Sequence, residues 1–447
     1  MTRTRRRVLL LGAAALSVAL TATACSSSGT EDSGSAKPAS NADIQAALNA
    51  GGEITVWAWD PTLKKVVSDF EAKYPKVKVN LVNAGTNNEQ YTALQNAVKA
   101  GSGVPDVAMI EYYALSQFSL AKSLTDLSAL GADKLKGTFS PGPWSAVHAG
   151  TEGIYALPMD SGPMALFYNK EVFDKYKIKV PATWEEYIAA AKKLHKADPK
   201  AYLTADTGDA GFTTSMIWQA GGRPYTVNGT QVGVNFDDAG TKKFTTAWQQ
   251  LISDKLLAPV SPWSDAWYKG LGDGTIASLV TGAWMPAPLA SGVKAGAGKW
   301  RVAPMPQWNS GEDVTAENGG SSLAVTQAST KKKLAYAFLK YATVDEGAQT
   351  RVDAGTFPST TKQLNSVEFL NKKDPYFGGQ RINEVLAESA DDVLVGWSYL
   401  PFQVYANSIF NDTVGKAYVS DTTLQDGLKA WQDASRKYGQ EQGFTVK

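Results

Sequence analysis

The chain holds 447 residues, 44 basic and 43 acidic, and its formal charge of +1 offers a polyanion no footprint, which excludes nucleic acid as an expected partner. That length exceeds one typical core and sets an expectation of about two or three domains. A single cysteine excludes a disulfide framework and a cysteine-based zinc site, and two histidines leave little for histidine chemistry, so no metal or cofactor is expected. The aromatic load is heavy, with 13 Trp and 18 Tyr, and such side chains need partners for their polar tips or uses for their flat faces.

The opening MTRTRRR carries four arginines and no acid, and the apolar run VLLLGAAALSVALTA behind it is too short for a comfortable membrane span. This is the layout of an export signal. Its end, Ala22-Thr23-Ala24-Cys25, resembles the lipobox of bacterial lipoproteins, where the cysteine receives diacylglycerol and becomes the new N-terminus. Ala22 departs from the Leu, Val or Ile usual at that position. The resemblance implies a lipoprotein signal peptide over 1–24 and an anchor at Cys25, with acyl chains such as palmitate holding the protein at the extracellular face of the cell membrane. An ordinary signal peptide with a bystander thiol is the alternative. Thr4-Arg5-Arg6-Arg7-Val8-Leu9 also looks like a twin-arginine signal, so the export route stays open. Residues 25–40 continue as CSSSGTEDSGSAKPAS, a polar tether that cannot build a pocket. Loss of 1–24 removes four arginines and leaves a charge of −3.

Beyond the tether, GGEITVWAWDP alternates Ile54, Val56 and Ala58 against Thr55, Trp57 and Trp59, the period of a strand. Asp60 stands where an N-cap belongs and Pro61 where a helix starts, with Leu63, Val66, Val67 and Phe70 at helical spacing. KVKVNLV predicts a second strand, EQYTALQNAVKAG a helix ending at Gly101, and PDVAMIEYY a third strand. This βαβαβ rhythm predicts an α/β fold with a parallel sheet, whose ligands bind beyond the carboxyl ends of the strands. The residues stationed there are Trp59 and Asp60, then Asn87, Asn88 and Glu89, then Glu111, Tyr112 and Tyr113.

From Gly153 the chain reads GIYALPMDSGPMALFYNK and then PATWEEYIAAAKKL, where Thr183 and Glu186 form a capping box opening a helix from Trp184 to Leu194. With Trp218-Gln219-Ala220-Gly221-Gly222, GDGTIASLVTGAWM and GGSSLAVTQASTKKKLAYAFLKYATVDEGAQ following in order, it resembles the extracellular solute-binding proteins of the maltose-binding type, receptor lipoproteins of ABC importers. The resemblance covers nearly the whole mature chain. It implies a two-lobed periplasmic-binding-protein fold of type II, with a hinge and an interlobe cleft, acting as a monomer. It allots 41–157 and 284–318 to lobe 1, 163–280 and 319–447 to lobe 2, and hinge crossings near 158–162, 281–283 and 318–320. The implied ligand is a mono- or oligosaccharide, handed to the permease subunits.

Sugar recognition needs carboxylates and carboxamides for hydroxyls and flat rings for C–H faces. The expected ligand set is therefore Trp59, Asp60, Asn88, Glu111, Tyr112 and Asp160 from the first lobe and crossing, with Trp218, Trp263, Trp267, Trp284, Asn318, Gly320 and Trp397 beyond. Asp160, Trp284, Asn318 and Gly320 enter through the crossing motifs of the family. Open alternatives remain: Glu111 as a helix cap, Trp263 and Trp267 sharing one apolar helix face, Trp397 as surface packing, and Trp184 and Trp248 as core. The rival activity is glycoside hydrolysis by a carboxylate pair, against which no catalytic signature such as G-x-S-x-G appears; a receptor for another polar solute is the third reading.

Overall fold

The computed structural model describes residues 38–447; the expected signal peptide, Cys25 and most of the expected tether lie outside the described residues. Ser40 opens the first helix, Asn41–Ala50, with a capping box in which its Oγ accepts from Asp43 N–H at 3.2 Å. The alternating run that follows becomes strand β1 (Gly52–Trp57), with Ile54 and Val56 buried beneath a hydrophobic helix stripe from Leu63–Lys73. Strands β2 (Val77–Val82) and β3 (Val107–Glu111) flank β1 in parallel. Helix Asn88–Ala100 stops at Gly101, whose φ of 66° provides the left-handed cap that a side chain resists. Two local expectations shift. The helix after β1 starts at Leu63, because Asp60 Oδ1 accepts from Thr62 N–H and Oγ–H and closes a turn through Pro61. Strand β3 ends at Glu111, and Tyr112 already belongs to helix Tyr112–Leu120.

The chain then crosses to a second lobe through β4 (Leu157–Pro158) into β5 (Met164–Asn169). Antiparallel β6 (Ser278–Gly282) and β7 (Trp300–Ala303) pair on either side of β5. Period two sorts β5 cleanly: Met164 and Leu166 face one core, with Trp184 and Trp248, while Ala165 and Phe167 face another, with Trp267 and Phe377.

The return strand β8 (Ser321–Val325) corrects the expected division of the later chain. It pairs antiparallel with β3 and with β4, completing the order β2-β1-β3-β8-β4, and helix Lys332–Thr343 buries Leu334, Phe338 and Leu339 in the first core. Residues 284–318 instead carry β7 and pack with the second lobe, whereas of 319–447 only the part through β8 and helix Lys332–Thr343 joins the first lobe, and Phe357 to Trp431 pack with the second as expected. The physical reason is backbone pairing: β8 supplies the partner that the exposed edge of β3 lacks, and β7 does so for β5.

Three crossings lie side by side. Met159 N–H donates to Ser321 O at 2.8 Å, Asn318 N–H to Gly162 O at 2.8 Å, and Ala283 N–H to Pro163 O at 3.0 Å. Gly162 is required by this approach, since a Cβ there would sit 2.4 Å from Asn318 O. No described helix is long and apolar enough to cross a membrane.

Candidate functional site

Two connected cavities open at the crossings. The smaller, about 350 Å³, lies between the lobes, with Glu111 and Tyr113 from the end of β3 on one side and Asp209, Ser215, Tyr399 and Asn411 on the other. The larger, about 1080 Å³, is walled by the second lobe and the crossings, including Phe212, Trp263, Trp267 and Trp284. Gly208, Asp209, Asn318 and Asn411 line both, which makes them one groove.

The groove's flat surface is Trp263. The residue is 51% exposed, and its backbone sits at φ 68°, a left-handed conformation that a bulky side chain adopts at a cost of about 1–3 kcal/mol. An indole held open in a strained backbone is a feature of a binding surface rather than of a core. Its ring stacks on Trp284 at 5.7 Å and 26° and leans on Trp267 at 5.1 Å. Trp284 is itself fixed by its indole N–H, which donates to Asn318 O at 2.7 Å, so the aromatic platform is bonded to the hinge. Trp267 answers both of its readings, being buried in the second core and exposing an edge to the cavity.

Polar groups converge from both lobes. Glu111 holds the N-cap position of its helix without capping it; Oε2 accepts from Tyr91 O–H at 2.9 Å, and burial raises its pKa to about 7 against the opposing pull of the Tyr91 and Tyr113 hydroxyls. Asp209 caps helix Ala210–Gln219, its Oδ1 accepting from Phe212 N–H at 2.6 Å, and so stands at the floor where the two cavities meet. Asn318 Nδ2 donates to Ser215 Oγ at 3.3 Å, which orients the carboxamide between the chambers.

Of the expected set, Glu111, Trp263, Trp267, Trp284 and Asn318 come together here, and the others line neither cavity. Asp60 and Asp160 are committed elsewhere. Both carboxylates turn to Arg351, which is 2% exposed, at 3.0 and 3.6 Å, and Arg351 also donates to Met159 O. Asp160 Oδ1 accepts from Ser321 N–H at 2.7 Å, tying the first crossing to the third, and burial raises its pKa to about 6 although Arg351 opposes the rise. Tyr112 is buried, its hydroxyl donating to Asp160 O at 2.6 Å. Gly320 sits at φ 101°, and a Cβ there would strike the Tyr112 ring, so only glycine fits. Trp218 and Trp397 stack on each other at 5.0 Å and 7°, and Trp218 N–H donates to Leu394 O, so both serve packing. Trp59 meets Tyr91 edge-on at 6.1 Å, and Asn88 is an exposed first residue of its helix.

Sequence reasoning missed Asp209, Gln403 and Asn411 as lining residues, and it stationed Tyr113 at the end of the third strand without carrying it into the ligand set. The signal for Asp209 was present in TGDAGF, an N-cap residue directly before a helix. Tyr399 lies beside the expected Trp397 and takes its place.

Residues 58–349 match the family model described as bacterial extracellular solute-binding protein. The chain belongs to that family. Among solved structures, this solute-binding protein is similar to the ABC transporter associated binding protein of B. animalis subsp. lactis in complex with β-1,6-galactobiose, with 48% identity, a TM-score of 0.78 and coverage of 88% of this chain and 99% of that one. It is also similar to the galacto-N-biose-/lacto-N-biose I-binding protein of Bifidobacterium longum in complex with lacto-N-biose, with 26% identity, a TM-score of 0.75 and coverage of 89% and 99%. A curated relative, the lactose-binding protein of Rhizobium radiobacter, is 27% identical over 402 residues, 86% of this chain and 92% of its own length. These neighbours share the two-lobed type II fold, and the solute-binding protein described here has the mixed α/β sheets and crossings of that fold.

Proposed function

We propose that this protein captures a β-galactosyl saccharide between its lobes and delivers it, uncleaved, to the permease of an ABC importer, while a lipid on Cys25 holds it at the outer face of the membrane. The observation that carries the reading is Trp263, an exposed, backbone-strained indole stacked on Trp284 in the cavity that shares Asp209 with the chamber lined by Glu111. Galactose suits such a site. Its axial hydroxyl leaves one ring face as a continuous C–H patch for the indole, while the remaining hydroxyls turn to carboxylates and carboxamides. The similar proteins support the same sugar, since galactobiose, lactose and lacto-N-biose all carry a β-linked galactose.

Binding selects closure because the ligand touches both lobes: Glu111 belongs to the first, Asp209 and Trp263 to the second. The test is intrinsic Trp fluorescence of the chain from Ser26, which contains the whole compact unit 38–447, titrated with β-1,6-galactobiose, lactose, lacto-N-biose and arabinobiose. A saturable change with the galactoside recovered intact is expected. Cleaved sugar would make the protein a hydrolase, and silence across the panel would point to a non-sugar solute. For the anchor, Cys25→Ser is expected to release the protein from the membrane fraction; retention there would refute lipidation.

A further inference from the structure

The lobes meet away from the crossings as well, through side chains that line neither cavity. Helix Gln403–Ser408 is rooted in the second lobe, where Phe402 and Ala406, four residues apart, are buried in its core. Val404, between them, packs instead on the core of the first lobe, and the helix lies against helix Tyr112–Leu120 of that lobe. Tyr399 packs on both cores.

A second contact stands beside the first. Ser116, on helix Tyr112–Leu120, donates its O–H to Ala149 O at 3.4 Å. Ala149 is buried at φ 52°, a left-handed conformation that a residue other than glycine keeps only when its surroundings fix it. The next residue, Gly150, meets the second-lobe hairpin of Tyr225–Asn228 and Gln231–Val234: a Cβ built there would lie 3.5 Å from Val227 Cβ. Tyr225, in the same strand as Val227, meets Trp397 edge-on at 5.7 Å, and Trp397 meets Tyr399 at 6.0 Å. One aromatic stack thus carries both contacts on the second lobe, and one helix supports both on the first. Val404, Val227 and Gly150 line neither cavity, and apolar contacts of this kind need no solute to form.

We infer that the two contacts form a clasp that draws the lobes together without solute, and that Val404 is a positioning residue for capture, setting the share of protein in the closed form and through it the affinity. The solute adds to this bias through Glu111 and Tyr113. The effect on affinity rests on the galactoside reading above, whereas the clasp itself is read without sugar.

The experiment uses the chain from Ser26, which contains no cysteine. Gly150→Cys and Val227→Cys are introduced together, since 3.5 Å falls within the range of about 3.5–4.5 Å between the Cβ atoms of a disulfide. In a glutathione redox buffer the pair should lose its free thiols without sugar, and adding Val404→Ala should slow that closure by about fivefold, equivalent to about 1 kcal/mol of apolar contact. In the parent, Val404→Ala should weaken β-1,6-galactobiose by about the same fivefold in calorimetry, while Val404→Ile stays within about twofold. The oxidised pair should bind galactobiose more tightly than its reduced form, and reductant should remove the gain. A pair that oxidises only with galactobiose present overturns the inference. So does Val404→Ala with parental closure rate and parental affinity, or a locked protein that binds no better than the reduced one. If galactobiose does not bind the parent, the galactoside reading falls, and the closure rates without sugar, with and without Val404→Ala, decide the clasp.

Discussion

Glu317→Gln is expected to stabilise the protein at pH 8 and to lose that advantage as the pH falls. Glu317 is 2% exposed in the third crossing, where Oε1 accepts from Ser161 O–H at 2.8 Å and Oε2 from Gly162 N–H. Those two bonds favour its charge, but burial and the neighbouring Asp160 oppose it and raise the pKa from 4.5 to about 7. The hydroxyls of Tyr112 and Tyr399 also feel this charge. Because the folded value lies above the unfolded one, the native state binds more protons between about pH 4.5 and 7, and stability falls as the pH rises through that window. Above it the full cost is present, on the order of 3 kcal/mol at about 1.4 kcal/mol per pH unit. A glutamine keeps the shape: its carbonyl accepts from Gly162 N–H, and its amide donates to the Ser161 hydroxyl once that group rotates. The assay is urea denaturation of parent and variant at pH 5 and pH 8. The variant should be more stable at pH 8 by up to about 3 kcal/mol, and by less than about 1 kcal/mol at pH 5. Glu111 and Asp160 titrate in both proteins and largely cancel. A difference that is the same at both pH values, or larger at pH 5, would refute the argument that a buried charge sits in the hinge.

Trp263→Ala removes the exposed ring and should weaken galactoside binding by about tenfold or more in calorimetry, with little change in the urea midpoint. Trp218→Ala acts in the opposite way: it empties a core stack with Trp397 and should cost about 3–5 kcal/mol of stability, read as a lower urea midpoint. Arg351→Met strands the carboxylates of Asp60 and Asp160 and should destabilise by about 3–5 kcal/mol at pH 8, with partial recovery towards pH 5 as Asp160 takes a proton. Glu111 has a pKa of about 7, and hydroxyl donors favour its charged form, so binding near pH 7 should release protons and weaken as the pH falls; Glu111→Gln should abolish the release, measured in buffers of different ionisation heat.

The first lobe's βαβαβ order was legible because local periodicity determines it: Ile54 and Val56 alternate, Phe70 follows Val66 at helical spacing, and Gly101 ends a helix in the one conformation it tolerates best. The family motifs located the crossings, and Trp284 and Asn318 came with them. What could not be read was pairing at long range. GSSLAV alternates equally well for either lobe, and only the free edge of β3 decides that β8 belongs to the first. Asp60 looks like a ligand carboxylate from its own neighbours; its actual partner, Arg351, lies 291 residues further on. Tryptophan is ambiguous for a similar reason. Trp218 and Trp263 both sit near glycines or prolines at the ends of elements, but a stacking partner buries the first, and a left-handed backbone holds the second out.

The site divides its labour unequally between the lobes. The second lobe and the crossings hold the aromatic platform, Asp209, Asn318 and the whole large cavity, while the first lobe adds only Glu111 and Tyr113. A solute can therefore make most of its contacts with one lobe before the other arrives, and the energy that distinguishes closed from open comes from the few groups of the first lobe. Those groups are not free to adjust. Glu111 is held by Tyr91, while Asp60 and Asp160 are fixed through Arg351 to the Met159 carbonyl and the Ser321 amide, so the first lobe presents a rigid rim joined to the hinge itself. Losing Trp263 should then lower affinity without preventing closure, whereas losing the charge of Glu111 should spare the platform contact and reduce the bias towards the closed form. The two variants separate capture from closure because the structure places the two tasks on different lobes.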